Sequence, residues 1–187
     1  MTLTVRERAD TIGTLRYISV FAMETLARWV PTTPDLEAKI LFGRHLWEFA
    51  QHADALGKRT HELRAALHYS PAPSAPYQAA LDAWRGLTTT SDRVASCYDA
   101  LIPDLERRYR SYLESTDVFL DEPSVRVIER ALADLPRLIE ESRALRGERK
   151  DLAHGDVAGS AIAAQLTACA AYVRFRTPVA SAAERLA

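Results

Sequence analysis

The chain has 187 residues, of which 48% are hydrophobic, 24 are basic and 25 are acidic, giving a formal net charge of -1. A chain of this length and apolar content can bury a sizeable core, which argues against intrinsic disorder. The balanced charge gives no electrostatic basis for binding nucleic acid or an anionic membrane, so we expect neither partner.

Cysteine usage and the N-terminal residues indicate a compartment. Cys97 and Cys169 are far apart and form no CxxC pattern, which favours buried thiols in a reducing environment. The opening MTLTVRERAD is charged and lacks the pattern of a signal peptide. No run of about 18 apolar residues is present, so no membrane span is expected. We therefore predict a cytoplasmic protein.

Helical spacing of apolar residues continues along nearly the whole chain, and no segment alternates like a strand. The five long helices that this spacing predicts cover about residues 5–30, 34–68, 91–115, 122–146 and 157–176. The first ends before Pro31, and the second has Thr33 as its cap and Pro34 in its first turn. The fourth contains Pro136, where a kink is expected.

Between and after these helices lie three further segments. SPAPSAP breaks the pattern at 70–76, YQAALDAWRG favours a short helix, and residues 177–187 are expected to be a frayed tail. Without a repeat or a second domain, residues 1–187 predict one all-α domain, an antiparallel bundle of four or five helices. The alanine-rich fifth helix either covers this bundle or forms a homodimer contact.

One face of the second predicted helix carries two histidines on an apolar line. At 100° per residue, the members of this line are Leu41, Phe42, His45, Phe49, His52, Leu56, Leu63 and Leu67. Glu48 lies at its edge, while His61 and His68 point to the opposite, solvated face. A buried imidazole needs a partner, because an unpaired buried polar group costs about 1–3 kcal/mol.

The first predicted helix offers such a partner. Glu24 shares a face with Tyr17 and Phe21, and the opposite side of the helix is apolar too, so this helix should be central and Glu24 should point inward. Carboxylates and imidazoles directed into one bundle interior are how helical bundles build metal sites.

The segments YISVFAMETLARW and HLWEFAQHADALGKRTHELR resemble the ferritin-like superfamily, and the resemblance extends over about residues 11–145. TDVFLDEPSVRVIERALADL is similar to the approach to the fourth helix in small bacterial members. The resemblance implies a ferritin-like bundle with a di-iron or di-manganese carboxylate site. In that family the first and third helices each supply a Glu, and the second and fourth each supply Glu-x-x-His.

The resemblance assigns metal ligands to particular residues. Glu24 corresponds to the first-helix ligand and His52 to the second-helix histidine. Glu48 stands one position from the expected Glu, with His45 three residues before it. On the fourth helix Glu129 corresponds to the carboxylate, but no histidine follows it.

The third helix departs most from the family, because Arg108 rather than a Glu lies on its apolar line. An inward arginine would repel a cation and would pair with Glu24 or Glu48. The resemblance therefore predicts a reduced metal site instead of a complete di-iron centre.

Three hypotheses follow for function. The preferred one is a single iron ion held by Glu24, Glu48 and His52, with His45 and Glu129 as further ligands, that oxidises a small-molecule substrate.

The second hypothesis is a metal-free isomerase, cyclase or dehydratase. His45 or His52 would be the general acid or base, tuned by Glu48 or Glu24, with Arg108 holding a substrate oxyanion and Tyr17 among the aromatic residues lining the pocket. The third hypothesis is a non-catalytic binding or interaction module, in which the histidines only satisfy buried carboxylates.

Overall fold

A computed structural model describes residues 3–152 and 156–176, and within these ranges the chain forms helices and no strand. In chain order the α-helices are α1 (Val5–Thr32), α2 (Leu36–Glu62), α3 (Ala75–Arg85), α4 (Thr90–Ala95), α5 (Ile102–Ser115), α6 (Glu122–Glu148) and α7 (Asp156–Ala168). A π-helical segment, Ser96–Leu101, joins α4 to α5, and a 3₁₀ turn, Lys150–Leu152, follows α6. The predicted all-α bundle is confirmed, and the predicted frayed tail at 177–187 lies outside the described residues.

Helix α1 begins at a capping box and ends later than the sequence indicated. The backbone N–H of Glu7 donates to the Thr4 hydroxyl, and the backbone N–H of Thr4 donates to the Glu7 carboxylate. Pro31, expected to follow the helix, lies inside its last turn. A proline there removes one backbone donor near a helix end, and the Thr33 N–H still bonds the carbonyl of Trp29 at 2.9 Å.

The boundaries of α2 also differ from the prediction. The helix begins at Leu36 with Asp35 at its N-cap, so Thr33 is not its cap and Pro34 is not in its first turn. Instead, the Thr33 hydroxyl donates to the backbone carbonyl of Trp29 and accepts from the Arg93 guanidinium. Thr33 therefore belongs to the C-terminal end of α1. The helix stops at Glu62 and not near 68, because Arg64 adopts a left-handed backbone conformation with φ of 62°.

Helices α1 and α2 pack antiparallel along most of their length. Trp29 meets Phe42 at one end, with ring centroids 5.6 Å apart. At the other end Gly57 lies against Arg16, where a Cβ would come within 2.7 Å of the arginine Nε. Helix α6 runs antiparallel along a second side of α2, and Trp84 of α3 packs edge-on against Trp29. Helix α2 therefore has one face toward α1 and another toward α6.

Helix α7 is shorter than predicted, since it ends at Ala168 and not near Arg176. Arg108 stops it by donating to the carbonyls of Leu166 and Cys169, both at 2.9 Å. The following segment is held by non-helical contacts, in which the Ser74 N–H bonds the carbonyl of Tyr172. No helix in the described part of the chain is long and apolar enough to cross a membrane.

Candidate metal centre on the α2–α6 seam

Two histidine–carboxylate pairs connect α2 to α6. His52 Nε2 lies 3.0 Å from Asp134 Oδ2, and His45 Nε2 lies 3.1 Å from Glu141 Oε2. The histidines are seven residues apart on α2 and the carboxylates seven apart on α6, as antiparallel helices in contact require. We call this set of four residues the histidine seam. Neither carboxylate was predicted as a site residue, although Asp134 and Glu141 have the same seven-residue spacing on the fourth predicted helix as the histidines on the second.

His45 is fully buried and both of its ring nitrogens have protein partners. Its Nδ1 lies 2.7 Å from the hydroxyl of Tyr98, which the π-helical segment carries toward α2. Burial lowers the pKa of His45, and the nearby Glu141 only partly opposes this effect. Burial also raises the pKa of Tyr98 well above its ordinary value. The phenol therefore stays protonated, and its O–H donates a hydrogen bond to Nδ1 of the neutral imidazole. His45 therefore offers no free nitrogen to a metal or a substrate.

Glu141 is the most heavily engaged carboxylate of the seam. Burial alone would raise its pKa, but hydrogen bonds from His45 and Arg137 outweigh this and hold the pKa below its usual value. The Arg44 guanidinium also reaches Glu141 at 3.3 Å. A neutral His45 can therefore donate its Nε2–H to an ionised Glu141.

His52 differs from His45 because it borders open space. It lines a groove of about 580 Å³ between α2 and α6. Its side chain is 5% exposed, and its ring packs edge-on against Phe49 with centroids 6.3 Å apart. The Nδ1 atom is buried and has no hydrogen-bond partner among the described residues. The one ring nitrogen of His52 with a partner among the described residues is therefore Nε2, which contacts Asp134.

Glu48, His52 and Asp134 form a candidate metal-ligand cluster among the described residues. Each offers one ligand atom, and these atoms all lie within 4.8 Å of one another. Bonds of about 2.0–2.2 Å to one ion would hold neighbouring ligand atoms roughly 3 Å apart, so the more widely separated of these atoms would have to move closer together on binding. The His52–Asp134 pair, at 3.0 Å, already has this spacing. The donor set therefore fits a divalent transition metal.

Arg137 competes with a cation for this cluster. Its Nη2 donates to Glu48 Oε1 at 2.6 Å, and its Nη1 donates to Glu141 Oε1 at 3.2 Å. The guanidinium thus neutralises Glu48 and links the cluster to the pair formed by His45 and Glu141. An ion at the cluster would have to use the second oxygen of Glu48 or displace Arg137.

Two residues assigned as metal ligands by the resemblance lie elsewhere. Glu24 is exposed, so the expectation that it points inward is wrong, and it is not part of the cluster. It lies on an exposed strip with Ala27, Arg28 and Pro31, the usual helical spacing of an outer face. Glu129 is also exposed and is not part of the cluster.

Arg108 was expected to pair with Glu24 or Glu48, and this expectation is wrong. It bonds Asp104 on its own helix at 3.1 Å and lies over the ring of Tyr172, 4.3 Å from its centroid. Together with its bonds to the end of α7, these contacts make it a buried structural clamp. Tyr17 is half-buried and stacks on Phe21, and neither of these rings lines the groove. The rings expected beside Tyr17 in that pocket are buried in the hydrophobic core: Phe21, Phe42, Phe49, Tyr98 and Tyr109.

Comparison of the chain with protein-family models, with curated proteins and with solved structures finds no match. The geometry of the seam and its groove is therefore what indicates a function.

Proposed function

We propose that this protein binds one divalent metal ion through Glu48, His52 and Asp134 and acts on a small molecule held in the adjoining groove. The observation that carries the proposal is the approach of three ligand atoms to within 4.8 Å of one another at the wall of a groove of about 580 Å³. Ligand sites commonly occupy about 300–1,000 Å³, so the groove has room for a substrate.

The ligand chemistry favours iron and an oxidation. Two carboxylates and one imidazole would supply three ligands to an ion, fewer than a closed structural site has, which suits non-haem iron that also takes oxygen or substrate. We propose oxidation of a small molecule, with dioxygen as the electron acceptor, as the reaction class. The ligands come from α2 and α6, the second and fourth long helices, so a distant ferritin-like relationship remains part of the proposal.

Metal content of protein purified without a His tag tests the proposal. We expect one ion per chain by mass spectrometry after anaerobic loading with Fe(II), and loss of that ion in both His52→Ala and Asp134→Asn. His61→Ala is the matched control, because His61 is exposed on the same helix. Failure of the wild-type protein to bind iron or zinc, or equal binding by His52→Ala, would overturn the proposal.

A second candidate function is favoured by the contact between Arg137 and Glu48. Because the guanidinium already satisfies this carboxylate at 2.6 Å, His52 and Asp134 can operate without an ion, as an acid–base pair facing the groove. An isomerase, cyclase or dehydratase would use such a pair. Turnover that survives exhaustive chelation and is lost in Asp134→Asn would select this function, whereas activity restored by added iron would exclude it.

A further inference from the structure

A second cavity, of about 590 Å³, is lined largely by arginines. It lies where the first turn of α1, the end of α2, the loop before α6 and the segment after α7 meet. The arginines that line it are Arg6, Arg8, Arg59, Arg64 and Arg176, and Glu62 is the one acidic residue among the described lining residues. Such a concentration of guanidinium groups contrasts with the near-neutral net charge of the chain. We call it the arginine pocket.

Two of these arginines are held by buried carboxylates behind the pocket wall. Arg59 Nη2 donates to Asp121 Oδ1 at 2.9 Å, and its Nε donates to the Ser124 hydroxyl at 2.7 Å. Arg176 Nε donates to Asp10 Oδ1 at 2.6 Å. With Arg6 set aside, the four other arginines outnumber the three carboxylates that pair with them among the described residues, Asp10, Glu62 and Asp121, so this part of the lining keeps a positive charge.

Arg8 is poorly satisfied although its side chain is only 7% exposed. Its Nη1 reaches the carbonyl of Leu120 at 3.4 Å, its Nε lies 3.9 Å from Asp121 Oδ2, and that Nε has no hydrogen-bond acceptor. A buried guanidinium with unused donors is costly unless an acceptor completes it. An oxyanion in the pocket would be a closer acceptor for the terminal nitrogens of this guanidinium than the Leu120 carbonyl at 3.4 Å.

Arg64 lies just beyond the end of α2 and also lines the pocket. Its left-handed backbone, with φ of 62°, ends the helix, and the side chain adds a fifth guanidinium to the lining.

We infer that the arginine pocket binds a phosphate group. Arginine forks match the planar pairs of oxygens that phosphate presents, and several guanidiniums favour a group with more than one negative charge over a single carboxylate. Leu120, exposed at 76%, and the half-exposed Val5 border the same pocket, so the rest of the ligand meets an apolar edge. The phosphate belongs either to a soluble molecule or to a lipid headgroup.

The arginine pocket shares Arg59 and Glu62 with the groove beside His52. Seven residues of helix separate Arg59 from His52, a rise of about 10.5 Å. A bound phosphate would therefore lie about two helical turns from the metal-ligand cluster. The phosphate site itself does not depend on the metal proposal, because none of the three cluster residues lines the arginine pocket.

Calorimetric titration of the metal-free full chain with sodium pyrophosphate, at ionic strength matched with sodium chloride, tests the inference. A parallel arm measures cosedimentation with phosphatidylglycerol vesicles against phosphatidylcholine vesicles. We expect saturable binding in the pyrophosphate arm if the ligand is soluble, or selective sedimentation with phosphatidylglycerol if it is a headgroup. Either result supports a phosphate site and identifies its source.

Variants decide whether binding occurs at this pocket. Arg64→Gln should weaken binding about tenfold, since it removes one charge-assisted contact. Arg8→Lys keeps the charge, removes the fork and should weaken binding comparably, and urea unfolding verifies that both variants fold. Arg28→Gln, an exposed arginine on the outer strip of α1, is the control and should bind as wild type. Absence of binding in both arms, or equal weakening in the control, would overturn the inference.

Discussion

The Nδ1 atom of His45 lies 2.7 Å from the phenol oxygen of Tyr98, and both side chains are buried. This bond connects the centre of α2 to the π-helical segment between α4 and α5. It also fixes the tautomer of His45, because the phenol donates to Nδ1 and leaves the Nε2–H for Glu141. The stability of the seam therefore depends on a residue outside both of its helices.

Replacing Tyr98 with phenylalanine should destabilise the protein by about 1–3 kcal/mol, because it leaves the buried His45 Nδ1 without a partner. The free energy of unfolding in urea measures this loss. Tyr109→Phe is the control: Tyr109 is equally buried, but its hydroxyl makes only a 3.5 Å contact with Ser19. Equal losses in the two variants would contradict the role assigned to Tyr98.

The free energy of unfolding should fall as the pH drops from 6.5, the ordinary pKa of histidine, to the lowered pKa of His45 in the folded protein. Between these two values the unfolded chain binds a proton that the folded chain does not, so folding becomes less favourable by up to about 1.4 kcal/mol per pH unit. Below the lowered value the penalty stops growing.

His45→Gln should remove this part of the pH dependence. Urea unfolding at intervals from pH 7.5 to 5.5 compares the slopes of the variant and the wild type. Glu141 contributes at lower pH, because its pKa in the folded protein lies below the ordinary value of 4.5. The stability that this shift provides is fully present above pH 4.5 and is lost as the pH falls through the lowered pKa. Parallel slopes above pH 5.5 would show that His45 does not titrate as described.

Two glycines should respond oppositely to alanine. At Gly43, in the exposed part of α2, an added Cβ meets nothing within 4 Å, so the higher helix propensity of alanine should stabilise by about 1 kcal/mol. At Gly13 the same Cβ would lie 2.7 Å from Pro71 Cδ and 3.0 Å from the carbonyl of Tyr69, which should destabilise by about 1–3 kcal/mol. Melting temperatures of the two variants should therefore move in opposite directions.

Arg108→Met should destabilise the protein by about 1–3 kcal/mol, since it leaves the carbonyls of Leu166 and Cys169 at the end of α7 without a donor. Hydrogen exchange should accelerate most in α7. Arg110→Met is the matched control on the same helix, because Arg110 is exposed and, in the described part of the chain, its one ion pair is with Glu106 one turn away. Unchanged protection of α7 in Arg108→Met would show that the clamp is not what ends and holds that helix.

Helical periodicity was enough to predict the all-α fold and the inward faces of α2, because apolar spacing alone determines which side of a helix is buried. His45 and His52 are accordingly buried where expected. Glu24 was misplaced because α1 is apolar around most of its circumference, and the narrow exposed strip that contains Glu24 cannot be located without its neighbours. Helix ends were mispredicted for a related reason: Arg93 and Arg108 bind the ends of distant helices, and local sequence does not contain such contacts.

The site was only partly predictable. Glu48 and His52 were identified on α2, whereas Asp134 was missed because the resemblance directed attention to Glu129, one and a half turns earlier on α6. Pairing partners on another helix depend on the register between the helices, which a single sequence does not determine. Arg137 was missed for the same reason, since its importance comes from bridging Glu48 to Glu141.

The seven-residue spacing of the histidine seam leaves the alignment of α2 on α6 ambiguous. Sliding one helix past the other by two turns, about 10.5 Å, would place His52 opposite Glu141 and His45 opposite Glu148, so imidazoles would again face carboxylates. The seam by itself therefore tolerates two alignments. Arg59 removes the ambiguity, because its bonds to Asp121 and Ser124 at the start of α6 can form in the observed alignment but not after that slip. Arg59 thus determines the register between α2 and α6, and the two histidine–carboxylate pairs form in that register.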